Sequence, residues 1–247
     1  MKFIRYAKGK VEYRGILDGE YIKRINGTIF HDYSLTTTME KVSDVTILPP
    51  VLPSKIIGFR KNYNGSREKI EPQIFLKPPT TTSSHNSNII IPKDVENVKV
   101  EGELAVIISK KAKNISECHV LNHILGFTIA NDVTSPQAKE DLTVTIGKSY
   151  DTFTPLGQYI LTDTNYLDLE IKTYKNGELV QSGTTNNMIY DIFYQISFIS
   201  HIMTLNAGDV ILTGTPSDAV SVTHGDKIDI EISKLGTLSN TIIKEGL

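Results

Sequence analysis

The first part of the chain alternates short apolar runs with turn residues. Within residues 1–48, Asp-Gly and Asn-Gly pairs that end at Gly19 and Gly27 each separate two such runs, which is the sequence signal of a tight β-hairpin. Three prolines then follow within residues 49–53 and stiffen the chain. The pattern predicts a small N-terminal β domain over residues 1–48 and a main domain over residues 49–247.

The main domain continues as a series of short strands with two or three helices between them. The Asn-Gly pair that ends at Gly177 divides two further runs and is the strongest hairpin signal in the chain. Apolar residues recur at helical spacing from Met188 to about Thr204, and residues 116–125 are expected to form a shorter helix that Gly126 ends. About a dozen strands against these helices predict an α+β fold that is mainly β.

The stretch VKVEGELAVII, residues 98–108, places two carboxylates on one face of a strand that otherwise reads as core. Side chains alternate between the faces of a strand, so Glu101 and Glu103 point the same way. An unpaired ionised carboxylate at the edge of a core is costly, so a positive charge should lie close to both. Lys99 and Lys110 could supply it in ordinary surface ion pairs, or a hard divalent cation could supply it instead.

Asp132 supplies the third oxygen donor that a cation site would need. It follows the apolar run of the strand IAND and precedes a turn, so its carboxylate should lie at the end of a buried strand. Three carboxylates leave coordination positions open for water or substrate, which is how Mg²⁺ and Mn²⁺ are commonly held in catalytic sites.

Lys148 is the basic residue best placed to act on a substrate. It lies between two turn-rich segments beside an expected strand, where a lysine can face a pocket and stabilise a developing enolate or bind a carboxylate. The plain alternative is a solvated loop lysine.

Composition points to a small-molecule partner. With 26 basic and 28 acidic residues the net charge is −2, so no global field attracts nucleic acid or an anionic membrane. The first residues lack the apolar core of a signal peptide, and no run approaches the roughly 18 apolar residues that cross a bilayer. The single cysteine, Cys118, excludes an internal disulfide and is expected to be a buried free thiol. We therefore predict a cytoplasmic protein.

Several catalytic motifs are absent from the sequence. There is no Gly-x-Ser-x-Gly nucleophile elbow, and the TGTP string at residues 213–216 lacks the Gly-Lys-Ser ending of a phosphate loop. His119 and His123 stand four apart without the HExxH pattern, so we expect them to be exposed to solvent rather than to bind zinc.

The main domain resembles the fumarylacetoacetate hydrolase family from Lys55 onward. The segments that carry the resemblance occur in the family's order and approximate spacing: KIIGF followed by NY, IFLKPP, VEGELAVII, ANDVT, GKSYDTFTPLG, NGELVQSG, MTLNAGDVILTGTP and GTLSN. The resemblance implies a mixed β-roll fold with a small leading domain, usually assembled as a homodimer. Members hydrolyse carbon–carbon bonds in acylpyruvates, decarboxylate β-keto acids such as oxaloacetate, or shift double bonds between keto and enol forms.

Site roles follow from the same resemblance. It implies that Glu101, Glu103 and Asp132 hold Mg²⁺ or Mn²⁺, that Lys148 is the pocket lysine, and that Thr215 contacts the substrate carboxylate. The substrate class it implies is a 2-oxo or β-keto acid that binds the cation and forms an enolate.

Two departures from the family pattern bear on the reaction. The lid histidine and glutamate that activate water in hydrolytic members correspond to Ser66 and Lys69, so this acid/base pair is missing. The substrate-facing arginine and glutamine that often follow the aspartate correspond to Pro136 and Lys139.

Two hypotheses about function result. The first is a divalent-metal enzyme acting on a small 2-oxo or β-keto acid or diacid through an enolate. Decarboxylation or keto–enol isomerisation is then at least as well supported as hydrolysis, because neither needs activated water. The second is a catalytically silent member that binds metal and a ligand.

Overall fold

A computed structural model of the protein describes residues 1–63, 71–136, 144–162 and 166–247. Strands make up 48% of the described residues and helices 13%, which confirms the predicted α+β class with a dominant sheet. The described helices are α1 (Val144–Gly147), α2 (Ile192–Ile202) and short 3₁₀ segments at Val42–Asp44, Pro79–Thr81, Glu117–His123 and Thr185–Asn187. The described strands are β1 (Lys2–Lys8), β2 (Val11–Asp18), β3 (Tyr21–Gly27), β4 (Tyr33–Lys41), β5 (Thr46–Leu48), β6 (Ile56–Arg60), β7 (Gln73–Lys77), β8 (Thr82–Ser83), β9 (Asn88–Ile91), β10 (Lys99–Val100), β11 (Gly102–Ile108), β12 (Ile124–Asn131), β13 (Thr154–Pro155), β14 (Tyr159–Leu161), β15 (Glu170–Lys175), β16 (Glu178–Thr184), β17 (Val210–Leu212), β18 (Val220–Ser221), β19 (Lys227–Ile232) and β20 (Gly236–Lys244).

The larger sheet contains strands from both of the predicted domains. Its strands follow the order β4-β3-β2-β1-β14-β12-β11-β17-β6-β7, with β5 added against β1. The hairpin at Gly19 forms as predicted, whereas Asn26 and Gly27 pair with Ser34 and Tyr33 inside the β3–β4 ladder, so the tight turn predicted there is wrong and residues 28–32 connect the strands. Strand β1 pairs antiparallel with β14, where Phe3 faces Ile160. The N-terminal strands therefore extend the sheet of the main domain, and the boundary after residue 48 stays a prediction.

Strand β11 lies in the middle of this sheet, between β12 and β17, and all of its residues are buried. Its alternating side chains contribute to two different cores. Leu104 and Val106 pack into the largest apolar cluster, whereas Ala105 and Ile107 pack into a second cluster on the other face. The predicted alternation is thus confirmed, and Glu103 lies on the Ala105 and Ile107 face of the strand.

A second, smaller sheet packs against the start of β11. It has the order β16-β15-β19-β20-β9, and its β15–β16 hairpin turns at Gly177 as predicted. A Cβ atom on Gly102 would lie 2.5 Å from the Thr173 Oγ1 atom of β15, so only glycine allows this approach. The two sheets therefore meet at the residue between Glu101 and Glu103.

The segment after residue 115 differs from its prediction. It forms a 3₁₀ helix, and Gly126 lies inside β12, which begins at Ile124, rather than at the helix end. Cys118 is exposed, so its predicted burial is wrong. In a 3₁₀ helix residues i and i+3 eclipse, so Cys118 shares the exposed face of Leu121 while Val120 alone is buried.

The long helix is shorter than its apolar pattern predicts. It begins at Ile192 rather than Met188, because the Asp191 side chain caps it by accepting the N–H of Tyr194. The buried Asn62 side chain bonds the N–H and carbonyl of Tyr190 and holds that residue outside the helix. No helix among the described residues is long and apolar enough to cross a membrane.

Candidate active site

Three carboxylates meet where β11 and β12 lie side by side. Glu103 belongs to β11, Glu101 occupies the break between β10 and β11, and Asp132 follows directly after β12. One carboxylate oxygen of each lies within 4.8 Å of the others. Glu103 and Asp132 are buried, and the Glu101 side chain is 22% exposed. The structure thus brings together the three residues that the strand pattern singled out.

Backbone pairing between the two strands fixes this arrangement. The Asp132 N–H donates to the Glu101 carbonyl at 2.9 Å, and the Glu101 N–H donates to the Asn131 Oδ1 atom at 3.3 Å. Gly102 and Asn131 are partners in the β11–β12 ladder. Because these bonds adjoin the end of the β11–β12 ladder, the positions of the carboxylates follow from the fold.

Two buried lysines neutralise part of the cluster. The Lys148 ammonium donates to Asp132 Oδ2 and, at 3.2 Å, to Glu101 Oε2. The Lys77 ammonium donates to Asp132 Oδ1 at 2.5 Å. The ion pairs therefore come from Lys77 and Lys148, and the alternative in which Lys99 and Lys110 pair with the glutamates is wrong for the described residues.

Lys77 was not recognised from the sequence. Its ammonium also donates to the carbonyls of Val133, at 3.0 Å, and Phe153, at 2.7 Å, and its side chain is completely buried. The available signal was its position at the end of the buried strand QIFLK, directly before two prolines. Burial lowers the pKa of Lys77 to about 8, against the opposing effect of the Asp132 charge.

Lys148 is held by a local turn of helix. Its N–H donates to the Val144 carbonyl at 3.1 Å, which closes α1. A Cβ atom on the preceding Gly147 would lie 2.1 Å from the Ser135 carbonyl oxygen, so glycine lets α1 lie against the segment after Asp132. The ammonium lies 4.3 Å from the ring centroid of Phe75. Lys148 is therefore a buried cluster residue rather than a solvated loop lysine.

Glu103 is the carboxylate whose burial is least offset by hydrogen bonds and ion pairs. Among the described residues it receives one hydrogen bond, from the Gly214 N–H at 2.7 Å, and no ion pair. Burial, reinforced by the charges of Asp132 and Glu101, raises the pKa of Glu103 well above its usual value. Although burial opposes its ionisation, the ammonium groups of Lys148 and Lys77 hold the pKa of Asp132 below its usual value.

These properties fit a hard divalent cation. Three carboxylates face two ammonium groups, so the fully ionised cluster carries an excess negative charge, concentrated at Glu103. Oxygen donors suit Mg²⁺ and Mn²⁺, and the 4.8 Å limit on oxygen separation is close to the roughly 4.2 Å that spans an Mg²⁺ ion with 2.1 Å bonds. The donor set is therefore chemically suitable for the cation that the sequence predicted.

A cavity of about 1070 Å³ opens above the cluster. Thr215 lines it, with its hydroxyl donating to the Gly102 carbonyl at 3.0 Å and accepting from the Gln181 side chain at 3.2 Å. Buried Gln181, also unrecognised in the sequence, accepts the Gly102 N–H and so ties the Thr215 turn to the strand of the glutamates. Pro136 lines the cavity too, whereas Ser66, Lys69 and Lys139 lie outside the described residues.

The histidines do not join this cluster in the described part of the chain. His119 is exposed and bonds the Ser116 hydroxyl at 2.9 Å, and His123 is half-buried. Among the described residues, Glu101, Glu103 and Asp132 are the group found with metal-binding geometry.

Replacing Lys77 with methionine should strongly destabilise the metal-free protein. The change leaves Asp132 Oδ1 and the carbonyls of Val133 and Phe153 without their shared donor, and breaking a buried ion pair costs about 3–5 kcal/mol. Urea unfolding should show a lower midpoint at an unchanged m-value.

The matched control for this variant is Lys172→Met, which removes an exposed pair with Glu170 and should cost about 0–1 kcal/mol. Equal midpoint shifts in the two variants would contradict the assignment of Lys77 as the buried counter-charge of Asp132.

Comparison with known proteins places these features in context. Residues 55–243 match the family described as fumarylacetoacetate (FAA) hydrolase, C-terminal, and residues 1–50 match the one described as Rv2993c-like, N-terminal. Oxaloacetate tautomerase YisK of Bacillus subtilis is 38% identical over 230 residues, which cover 84% of this chain and 76% of that protein.

Solved structures show the same fold. The crystal structure of 2-hydroxyhepta-2,4-diene-1,7-dioate isomerase from Mycobacterium marinum matches with a TM-score of 0.95 and 36% identity, and covers 100% of both chains. Maleylpyruvate hydrolase from Sphingobium sp. SYK-6, solved in complex with manganese(II) ion and pyruvate, matches with a TM-score of 0.83 and 25% identity over 99% of both chains.

Proposed function

The chain belongs to the fumarylacetoacetate hydrolase family, and from this premise we propose that it is a Mg²⁺- or Mn²⁺-dependent enzyme that interconverts the keto and enol forms of a small 2-oxo acid. The motif resemblance is thereby confirmed at the level of the family. One observation carries the proposal: the Lys148 ammonium contacts Asp132 and Glu101 inside the cavity that holds all three carboxylates. The relatives named as a tautomerase and an isomerase support enol chemistry.

Each residue of the site has a separate task in this proposal. Glu101, Glu103 and Asp132 would hold the cation, which when bound supplies Lewis-acid polarisation of a carbonyl. Lys148 presents a cationic N–H donor where negative charge develops on the oxygen at carbon 2, and a buried donor is stronger there than in water. Thr215 would contact the carboxylate of the substrate.

Tautomerisation suits the residues of this chain better than hydrolysis does. It moves one proton between carbon 3 and the oxygen at carbon 2 and consumes no water. Hydrolysis needs a group that activates water, and the family's two positions for that group carry Ser66 and Lys69. A decarboxylase would form the same enolate with release of carbon dioxide, so the products separate the two reactions.

The test is to follow loss of enol absorbance after enolic oxaloacetate is added to protein with Mn²⁺. We expect acceleration by about 10²–10³-fold, the contribution of one preorganised donor such as Lys148 to a developing oxyanion. The control is Mn²⁺ at the same free concentration without protein. Carbon dioxide release and acetylpyruvate cleavage, measured in parallel, report decarboxylation and hydrolysis.

Intact Mn²⁺ binding without turnover of any of these compounds would favour the catalytically silent alternative. We also propose that the protein is a homodimer, as the family resemblance implies, and that it is cytoplasmic. Light scattering of the purified protein measures its oligomeric state.

A further inference from the structure

Lys99 is a cation of the cavity wall that the proposed reaction does not use. Its side chain is half-buried and lines the same cavity as Glu101 and Glu103. Its ammonium makes no ion pair or hydrogen bond with any residue that the structure describes. Glu101, its nearest acidic neighbour in sequence, pairs with Lys148 instead. The charge of Lys99 is therefore available to a molecule in the cavity.

The backbone of Lys99 is fixed on both sides. Its N–H donates to the Thr134 carbonyl at 2.7 Å and its carbonyl accepts the Thr134 N–H at 2.9 Å, while β10 pairs Lys99 with Ser221 of β18. A rise of about 3.3 Å per residue puts its Cα atom roughly 7 Å from that of Glu101, which lies in the break between β10 and β11. The ammonium thus extends from a rigid base close to the carboxylate cluster.

The surrounding charges favour a second anionic group at this distance. The cavity residues Thr134, Ser135 and Pro136, which continue the wall beyond Asp132, are uncharged. Asp218 also lines the cavity but is exposed, and two further cations of the lining, Arg60 and Lys61, add positive charge to it. A half-buried ammonium without a protein partner has lost part of its hydration, so binding a carboxylate there is favourable.

We propose that Lys99 binds the second carboxylate of a 2-oxo dicarboxylic acid and so determines a preference for diacids over monoacids. This inference rests on the proposed function, because the 2-oxo acid end must lie at the carboxylate cluster for the remote end to reach Lys99. A monoacid leaves the ammonium unpaired and gains nothing from it.

The kinetic test compares oxaloacetate with its 4-methyl ester, which keeps the reacting end and removes the second charge. Lys99→Met should raise KM for oxaloacetate roughly tenfold or more, as expected for loss of a charged hydrogen bond, and change kcat little. The ester should react equally with both proteins, and Lys99→Arg should keep most of the preference. The control is Lys244→Met, which replaces a half-buried lysine of β20 outside the cavity lining. This variant should leave KM and kcat unchanged for both substrates.

A binding test separates this inference from the proposed reaction. The 3,3-difluoro analogues of oxaloacetate and of its ester have no proton at carbon 3 and cannot form an enolate. Calorimetry on Mn²⁺-loaded wild-type protein should show tighter binding of the diacid, and Lys99→Met should abolish the difference. That result without oxaloacetate turnover would support Lys99 and refute the reaction. Equal binding of diacid and ester by the wild type, or a preference that survives in Lys99→Met, would overturn the role of Lys99.

Discussion

Replacing Glu103 with glutamine is expected to weaken Mn²⁺ binding by more than about 100-fold and to remove metal-dependent turnover. Loss of a group that only supports a metal ligand already costs about 10–100-fold in affinity, and Glu103 is one of the three candidate ligands themselves. Glutamine keeps the size of the side chain and can still accept the Gly214 N–H. The variant therefore removes charge while leaving packing intact, and calorimetry with Mn²⁺ measures the loss.

The same variant should raise the stability of the metal-free protein. Burial and two neighbouring carboxylates oppose ionisation of Glu103, so a neutral amide relieves a cost that the metal-free fold carries. Thermal unfolding should show a higher Tm without metal and almost no further rise when Mn²⁺ is added, whereas the wild type gains stability from bound metal. Glu117→Gln on the exposed 3₁₀ helix is the control. A full Mn²⁺-induced rise in Glu103→Gln would refute its role as a ligand.

Lys148→Met is expected to lower turnover by about 10²–10³-fold, the effect of removing one preorganised donor to a developing oxyanion. Metal affinity should stay the same or increase, because the variant removes a positive charge that competes with the cation for Asp132 and Glu101. Lys77 continues to hold Asp132 in place. Methionine retains the apolar stem that packs near the Phe75 ring.

Steady-state kinetics and Mn²⁺ calorimetry on the same preparation test whether turnover falls while metal affinity is retained. Lys148→Arg is the informative companion, because it keeps the charge but changes the shape of the donor group. If turnover and metal affinity fell together in Lys148→Met, the lysine would support the architecture of the cluster instead of acting on the substrate.

The site residues that could be predicted from the sequence are those whose positions depend on neighbouring residues in the chain. Strand alternation depends only on neighbouring residues, so it placed Glu101 and Glu103 on one side, and the apolar run before Asp132 placed that carboxylate at a strand end. Lys77 lies 55 residues from Asp132, and no local pattern connects the two. The alternative in which Lys99 pairs with Glu101 failed for a related reason, because the lysine that Glu101 does contact, Lys148, lies 47 residues away in the sequence.

The same distinction applies to the fold. The hairpins at Gly19 and Gly177 form where their turn residues predict, because turn geometry is a property of a few adjacent residues. The continuity of the larger sheet through β1 and β14 depends on a pairing between residues about 160 positions apart, such as Phe3 and Ile160. Cys118 was expected to be buried because the sequence offers no base that would activate its thiol, but the 3₁₀ helix that contains it leaves it exposed.

The hydrogen bonds of Lys77 also determine how the candidate active site unfolds. One ammonium group joins the end of β7 to acceptors 55, 56 and 76 residues away, at Asp132, Val133 and Phe153. None of these segments can move away without stranding a buried charge, so local opening of any one of them is coupled to the others. Amide hydrogens along these three segments should therefore exchange with solvent at a common rate, as one cooperative unit. The carboxylates of Glu101, Glu103 and Asp132 should keep their arrangement until that whole unit unfolds.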